Sequence, residues 1–203
     1  MKAFTRVEGV VAPLDRPNVD TDQIIPKQFL KRIERSGYGP FLFFDWRYEA
    51  DGTTENPDFE LNAEPFRHAP VLLAQRNFGC GSSREHAVWA LEDYGVRAVI
   101  APSFGDIFAQ NALKVGLLPV RLPEAVIARW IDAAQEAPGA IAVVDLEQGY
   151  VEMNGERHPI EIDPEARRRL LGGLDEIALS LQHDGDISAF ESRRPAWLPS
   201  LAP

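Results

Sequence analysis

Wholly apolar runs and amphipathic stretches alternate through the middle of the chain, and their periods predict its elements. VLLA at 71–74 and AVIA at 98–101 are short and apolar at every position, the pattern of strands buried on both faces. Between them, residues 83–94 put Ala87, Leu91 and Tyr94 on one face at helical spacing. Residues 104–115 do the same with Phe104, Ile107, Phe108, Ala112 and Val115. LLPVRL from 117 reads as the next strand, and a third helix after Pro123 turns Val126, Ile127, Trp130, Ile131 and Ala134 inward. Short buried strands alternating with amphipathic helices make a βαβαβ unit, a parallel sheet covered by helices.

The flanks are less regular. Val7, Val10 and Val11 before Pro13 predict a first strand, and IAVVDL predicts a late one. YVEMNGERHPIEI carries Asn154 and Gly155, a hairpin signal whose turn needs positive φ at both positions. Leu170, Leu171, Leu174, Ile177, Ala178 and Leu181 predict an apolar helical stripe interrupted by Gly172 and Gly173. In PNVDTDQIIPKQFL the turn and cap formers Asn18, Asp20, Thr21 and Asp22 precede Pro26. Ile24, Ile25, Phe29 and Leu30 can anchor a short helix there. Residues 36–70 lose their period: Gly37, Gly39 and Pro40 lead into FLFFDWRY, and ADGTTENPDFELNAEP reads as loop. So long an irregular stretch is expected to be functional or mobile, unless its aromatic residues pack into the core. No solenoid repeat is present, and RRPAWLPSLAP reads as a surface tail.

Charge narrows the partners. Lys and Arg total 21 against 31 Asp and Glu, a formal net charge of -10, which opposes any broad electrostatic grip on nucleic acid or anionic membrane. No apolar run approaches the ~20 residues of a bilayer span. The start MKAFTRVEG lacks a signal-peptide core, so a cytoplasmic location is expected. Cys80 is the single cysteine, too few for an internal disulfide or for an iron-sulfur cluster, which takes about four. His68, His86, His158 and His183 are scattered without HExxH or CxxC spacing, so no metal site built by this chain is expected.

RNFGCGSSREHA runs from a strand end into a helix start, where open parallel sheets place their ligands. Gly79 and Gly81 allow close backbone approach, Ser82 and Ser83 can cap or precede the first turn, and free amides there favour an anion. The Lys-Ser/Thr of a P-loop and the third glycine of a Rossmann fingerprint are absent, which disfavours nucleotides. Arg84 offers a planar fork, so a small di- or tricarboxylic acid fits better than a phosphate ester. Ser82 or Ser83 could act as base or nucleophile if amides and arginine stabilised the alkoxide; simple capping is the other reading. His86 is spaced for a Ser-His pair, but without a GxSxG elbow it reads as structural. Cys80 suits a tight turn, and no paired base marks it as a nucleophile. Arg167, Arg168 and Arg169 read as a solvated helix face rather than an anion patch.

NFGCGSSREHAVWALEDYG, followed at its spacing by APSFGDIFAQNALKVGLLPVRL, resembles the swivelling-domain signature of the aconitase superfamily. With NVDTDQIIPKQFL, FFDWRY and NPDFELN in order, the match is closest to the isopropylmalate dehydratase small-subunit family, over about residues 4–190. The resemblance implies an α/β fold, a layered β/β/α swivelling domain with a small mostly parallel sheet and added C-terminal helices. Its domain would span 1–190, with a long loop at 36–70, a helical part at 164–190 and a tail at 191–203. It implies one half of a hydro-lyase, active only with a separate large subunit that holds a 4Fe-4S cluster, this chain binding no cofactor. Family members move a hydroxyl between adjacent carbons of a dicarboxylate malate derivative through an unsaturated intermediate, interconverting 2-isopropylmalate and 3-isopropylmalate in leucine biosynthesis. Relatives acting on citraconate and methylmalate or on homoaconitate differ mainly in the substrate loop. A non-catalytic carboxylate-binding module on the same fold is the alternative from another class.

Residue by residue, the resemblance puts the family's SSR motif on Ser82, Ser83 and Arg84. Ser82 matches the serine whose alkoxide acts as base and Arg84 the substrate-carboxylate arginine, with Ser83 beside them and Gly79 and Gly81 in the anion-binding loop. Asp22, in a TDxI pattern, matches an acidic residue that supports charged side chains around the substrate; a cap or turn role is its alternative. The second substrate arginine does not transfer cleanly, leaving Arg32 and Arg35 as candidates. Selection for an isopropyl group is expected from an apolar wall within residues 30–70, a methylene-scale difference contributing ~1–3 kcal/mol.

Overall fold

A computed structural model describes residues 1–31, 34–195 and 197. Seven strands among them form one sheet: β1 (Arg6–Leu14), β2 (Val71–Ala74), β3 (Ala98–Ala101), β4 (Leu118–Arg121), β5 (Ile141–Asp145), β6 (Tyr150–Met153) and β7 (Glu156–Pro159), in the order β4-β3-β2-β1-β5-β6-β7. β1 joins two kinds of pairing. Its residues 11–14 run parallel to β2, whereas residues 6–10 run antiparallel to β5. The expected parallel unit is β2 to β4; β1 adds a fourth parallel strand, and an antiparallel meander extends the sheet on its other side. Pro13 is tolerated inside β1 for a positional reason. The Val11 N–H donates to the Ala140 carbonyl at 3.0 Å, so the nitrogen two residues on points to the same side, past the end of the β5 pairing.

The helices are the single turns α1 (Thr21–Ile24) and α2 (Phe44–Arg47), then α3 (Glu85–Tyr94), α4 (Asp106–Val115), α5 (Glu124–Glu136), α6 (Pro164–Gly172), α7 (Glu176–Leu181) and α8 (Asp184–Ser192). Alternate residues of the parallel strands feed two cores, which is why these strands are apolar throughout. Leu72, Ala74, Val99 and Ala101 meet Ala87, Leu91, Phe108 and Ala112 of α3 and α4. Val71, Leu73, Ala98 and Ile100 meet Ile127, Trp130 and Ile131 of α5. Asn154 and Gly155 adopt φ of 52° and 78°, as the hairpin requires.

Three expectations need correction. α3 and α4 begin at Glu85 and Asp106, because Arg84 and Gly105 keep non-helical backbone. Ile107 leaves the inward face of α4 and is 49% exposed. The C-terminal stripe is divided between two short helices, α6 and α7, since Gly173 turns left-handed at φ 63° and ends α6. Leu170 is buried there, but Ile177 and Leu181 are exposed. Within 36–70 the core-packing reading of the aromatic residues holds: Tyr38, Leu42, Phe43, Phe59 and Leu61 are buried, as is Arg47 at 5% exposure, whereas residues 49–58 lie nearer the surface. Arg47 Nε donates to Asn62 Oδ1 at 3.3 Å, Nη1 to the Gly39 carbonyl at 3.2 Å, and the guanidinium lies over Tyr94 at 4.8 Å. Side-chain bonds of this kind hold backbone in place without any hydrophobic period.

The loops leaving the carboxyl ends of β1, β2 and β3 are laced by backbone bonds. Asn18 N donates to the Arg76 carbonyl at 2.9 Å, Gly79 N to Val19 at 2.7 Å, Thr21 N to Cys80 at 2.9 Å, and Gly105 N to Phe78 at 2.9 Å. Such spacing leaves no room for side chains at two glycines. A Cβ on Gly79, at φ 72°, would lie 2.2 Å from Phe108 Cγ, and one on Gly105 would lie 2.5 Å from the Gly79 carbonyl oxygen. Gly79→Ala is therefore predicted to destabilise the fold by about 2–5 kcal/mol, from overpacking plus left-handed backbone strain. Urea denaturation followed by circular dichroism measures it, and an unchanged midpoint would contradict the close approach.

Candidate active site

The first wall of the site is α1. Asp20 caps it, accepting from Gln23 N at 2.8 Å while its own N–H donates to Gln23 Oε1 at 2.9 Å, a reciprocal arrangement that fixes the turn. Thr21 then faces inward and is 2% exposed. Its Oγ1 donates to the Ser82 carbonyl at 2.9 Å and lies 3.5 Å from Ser82 Oγ. Asp22 faces outward and meets Arg84: Nη1 to Oδ1 is 2.5 Å and Nη2 to Oδ2 is 3.0 Å. Nη1 also donates to the Ile25 carbonyl at 3.4 Å. Asp22 thus takes one hydrogen from each Nη, and Ile25 takes the second of Nη1. What remains is the edge formed by Nε–H and the other Nη2 hydrogen, a side-on fork of the shape that binds carboxylate.

Ser82 and Ser83 are exposed at the mouth of this turn. Neither caps α3. The capping position is Arg84, which makes no side-chain capping bond. Its extended backbone, φ -127° and ψ 107°, goes with a side chain that returns to Asp22. The cap on α1 is Asp20, so the capping alternative for Asp22 also fails. Gly79 does not offer an outward amide, since that N–H is committed to Val19. The amides of Gly81, Ser82 and Ser83 have no acceptor among the described residues, so any anion-binding amides lie later in the loop than Gly79, beyond its tight turn.

The other candidates sort by what they touch. His86 packs edge-on to Tyr38, with centroids 5.4 Å apart, and against Trp89 at 4.7 Å. It makes no hydrogen bond to either serine among the described residues, and burial pushes its pKa below the usual imidazole value. Cys80 directs its thiol to the Asn18 carbonyl at 3.5 Å; burial first, then the Asp20 charge, pushes that thiol up. A lone thiol held protonated does not fit an iron-sulfur cluster, and no group of three His, Cys, Asp or Glu side chains converges among the described residues. Arg35 lies over Trp89 at 5.9 Å, while Arg32 falls outside the described residues. Arg167 donates to the Leu146 and Glu147 carbonyls, Arg168 pairs with Glu165 and Arg169 with Glu176, which leaves no anion patch there.

Two residues of this site were not singled out by sequence reasoning. Gly105 had a readable signal, because Phe104-Gly105 repeats Phe78-Gly79, and the two phenylalanines pair as a parallel bridge. Thr21 stood among turn formers, with nothing local to show that its hydroxyl reaches a residue 61 positions away.

Comparison with known proteins agrees with this architecture. Residues 1–125 match the family model of the aconitase C-terminal domain, and residues 176–203 match that of the C-terminal domain of the 3-isopropylmalate dehydratase small subunit. The 3-isopropylmalate dehydratase small subunit of Rhodopirellula baltica is 56% identical over 96% of this chain and 100% of its own length. That of Bacillus pumilus is 55% identical over 98% of this chain and 99% of its own. The crystal structure of 3-isopropylmalate dehydratase from Methanocaldococcus jannaschii superposes with a TM-score of 0.64 at 26% identity, covering 91% of this chain and 99% of that one. The chain belongs to the 3-isopropylmalate dehydratase small-subunit family of the aconitase superfamily, and is one part of a two-subunit hydro-lyase.

Proposed function

We propose that this chain supplies the Ser82–Arg84 half of an active site that interconverts 2-isopropylmalate and 3-isopropylmalate, completed by a large subunit that holds a 4Fe-4S cluster. The observation that carries the reading is the Asp22–Arg84 fork, which joins two distant motifs beside exposed Ser82. Arg84 binds a substrate carboxylate along its Nε–Nη2 edge, and Asp22 keeps the guanidinium turned to present it. Ser82, as alkoxide, takes the proton from the carbon next to that carboxylate. The C–H electron pair becomes the double bond as the hydroxyl leaves the neighbouring carbon as water, its proton supplied from outside this chain. Rehydration with the opposite placement, Ser82 returning its proton, gives the isomer. An alkoxide needs donors oriented before reaction, which the Gly81–Ser83 amides and the Arg84 charge provide.

Exposure supports the two-subunit reading. Asp22 is 55% exposed at its side chain, and both serines face solvent; an alkoxide base needs water excluded, so another surface must close the site. Phe29, half-buried and stacked on Phe41 at 4.2 Å, follows the Ile25 carbonyl that Arg84 touches and supplies apolar surface for an isopropyl group. Residues 1–190 act as one swivelling unit, with α8 running on to Ser192 across the start of the expected tail. No described helix is long and apolar enough to cross a membrane, and a biosynthetic role fits a cytoplasmic setting.

Anaerobic mixing with the large subunit and 2-isopropylmalate should raise the ultraviolet absorbance of the unsaturated intermediate only when both chains are present. Ser82→Ala should lower turnover by about 10²–10⁴-fold, the worth of a positioned base, with the complex intact by size-exclusion chromatography. Wild-type turnover in that variant would remove Ser82 from the chemistry. Arg84→Lys should raise KM by about 10–100-fold through loss of the bidentate contact; a KM within about 2-fold of wild type by the same steady-state assay would rule out carboxylate binding there.

A further inference from the structure

Thr21 is sealed from solvent at 2% exposure, yet its hydroxyl is directed at an exposed residue rather than at its own helix. Oγ1 lies 2.9 Å from the Ser82 carbonyl oxygen and 3.5 Å from Ser82 Oγ. A threonine has one hydroxyl proton and two lone pairs. While that proton rests on the Ser82 carbonyl, Thr21 can only accept from the Ser82 hydroxyl. Once Ser82 is an alkoxide, rotation about the Cβ–Oγ1 bond carries the same proton to Ser82 Oγ. A charge-assisted bond then replaces a neutral one as the two oxygens, 3.5 Å apart in the resting structure, close to about 2.5–2.7 Å. The backbone is already anchored before this point, Thr21 N donating to the Cys80 carbonyl at 2.9 Å, so the side chain adds a separate contact, to Ser82 alone.

Resting on the assignment of Ser82 as base, we infer that Thr21 is a positioning residue whose single hydroxyl proton holds the Ser82 backbone while Ser82 is protonated and turns to the Ser82 alkoxide when that forms. It does not touch substrate. Its place on α1, one residue before Asp22, means that a single capped turn orients both the base and the carboxylate-binding arginine.

The test uses the two-subunit holoenzyme with 2-isopropylmalate, comparing Thr21→Val, Thr21→Ser and Ser82→Ala across pH. Thr21→Val should lower kcat by about 10–100-fold, the worth of a hydrogen bond to a charged group, with KM within about 3-fold. The acid limb of the kcat profile, where Ser82 must lose its proton, should move to higher pH. Thr21→Ser should restore both to near wild type. Unchanged kcat and acid limb in Thr21→Val would overturn the inference, as would a loss that Thr21→Ser fails to restore or that leaves the limb in place. If Thr21→Val does not form the complex, Thr21→Ala takes its place under the same criteria. Full turnover in Ser82→Ala would instead overturn the base assignment itself, whereas an inactive Ser82→Ala beside a wild-type Thr21→Val would remove Thr21 alone.

Discussion

The closeness of three loops at one end of the parallel sheet is the constraint on which the site depends. Gly79 sits against the Phe108 ring, and Gly105 sits against the Gly79 carbonyl, each without space for a Cβ. Only at that distance can the chain after β1 exchange backbone bonds with the chain after β2, and the chain after β2 with the chain after β3. The two cores on either face of the sheet hold the strands in register, so the loops inherit their positions from apolar packing. Loop geometry that rests on a rigid scaffold is what allows functional groups to be aimed without being buried.

From that frame follows the division between buried and exposed groups. Thr21 is inside and Asp22 outside because the capped turn of α1 sends consecutive side chains in different directions. One reaches Ser82 and the other reaches Arg84. The chain thus presents a charged fork and a serine on an open surface, an arrangement suited to a site completed by a second chain rather than to one that works in bulk water.

Elements were legible in the sequence wherever burial imposed a period. VLLA and AVIA are strands because both faces are buried, and Ala87, Leu91 and Tyr94 are helical because one face is. The candidate segment was legible as a glycine-rich turn entering a helix, though the helix starts at Glu85 rather than at about Ser83. Interactions across long sequence separation were not legible. The resemblance pointed to Asp22 as a support for charged side chains, but nothing near Arg84 names it as the partner, and nothing near Arg47 announces its bonds to Asn62 and the Gly39 carbonyl. The C-terminal stripe had the right spacing, but Gly173 broke the helix before Ile177 and Leu181 could reach the core.

The most direct measurement is a structure of the two-subunit complex with an isopropylmalate or a non-reactive dicarboxylate analogue bound. A ligand carboxylate on the Nε–Nη2 edge of Arg84, with Asp22 still on the opposite end of the guanidinium and Ser82 Oγ facing the carbon next to that carboxylate, is the predicted result. A ligand held elsewhere, with Ser82 and Arg84 left facing solvent in the complex, would contradict the account.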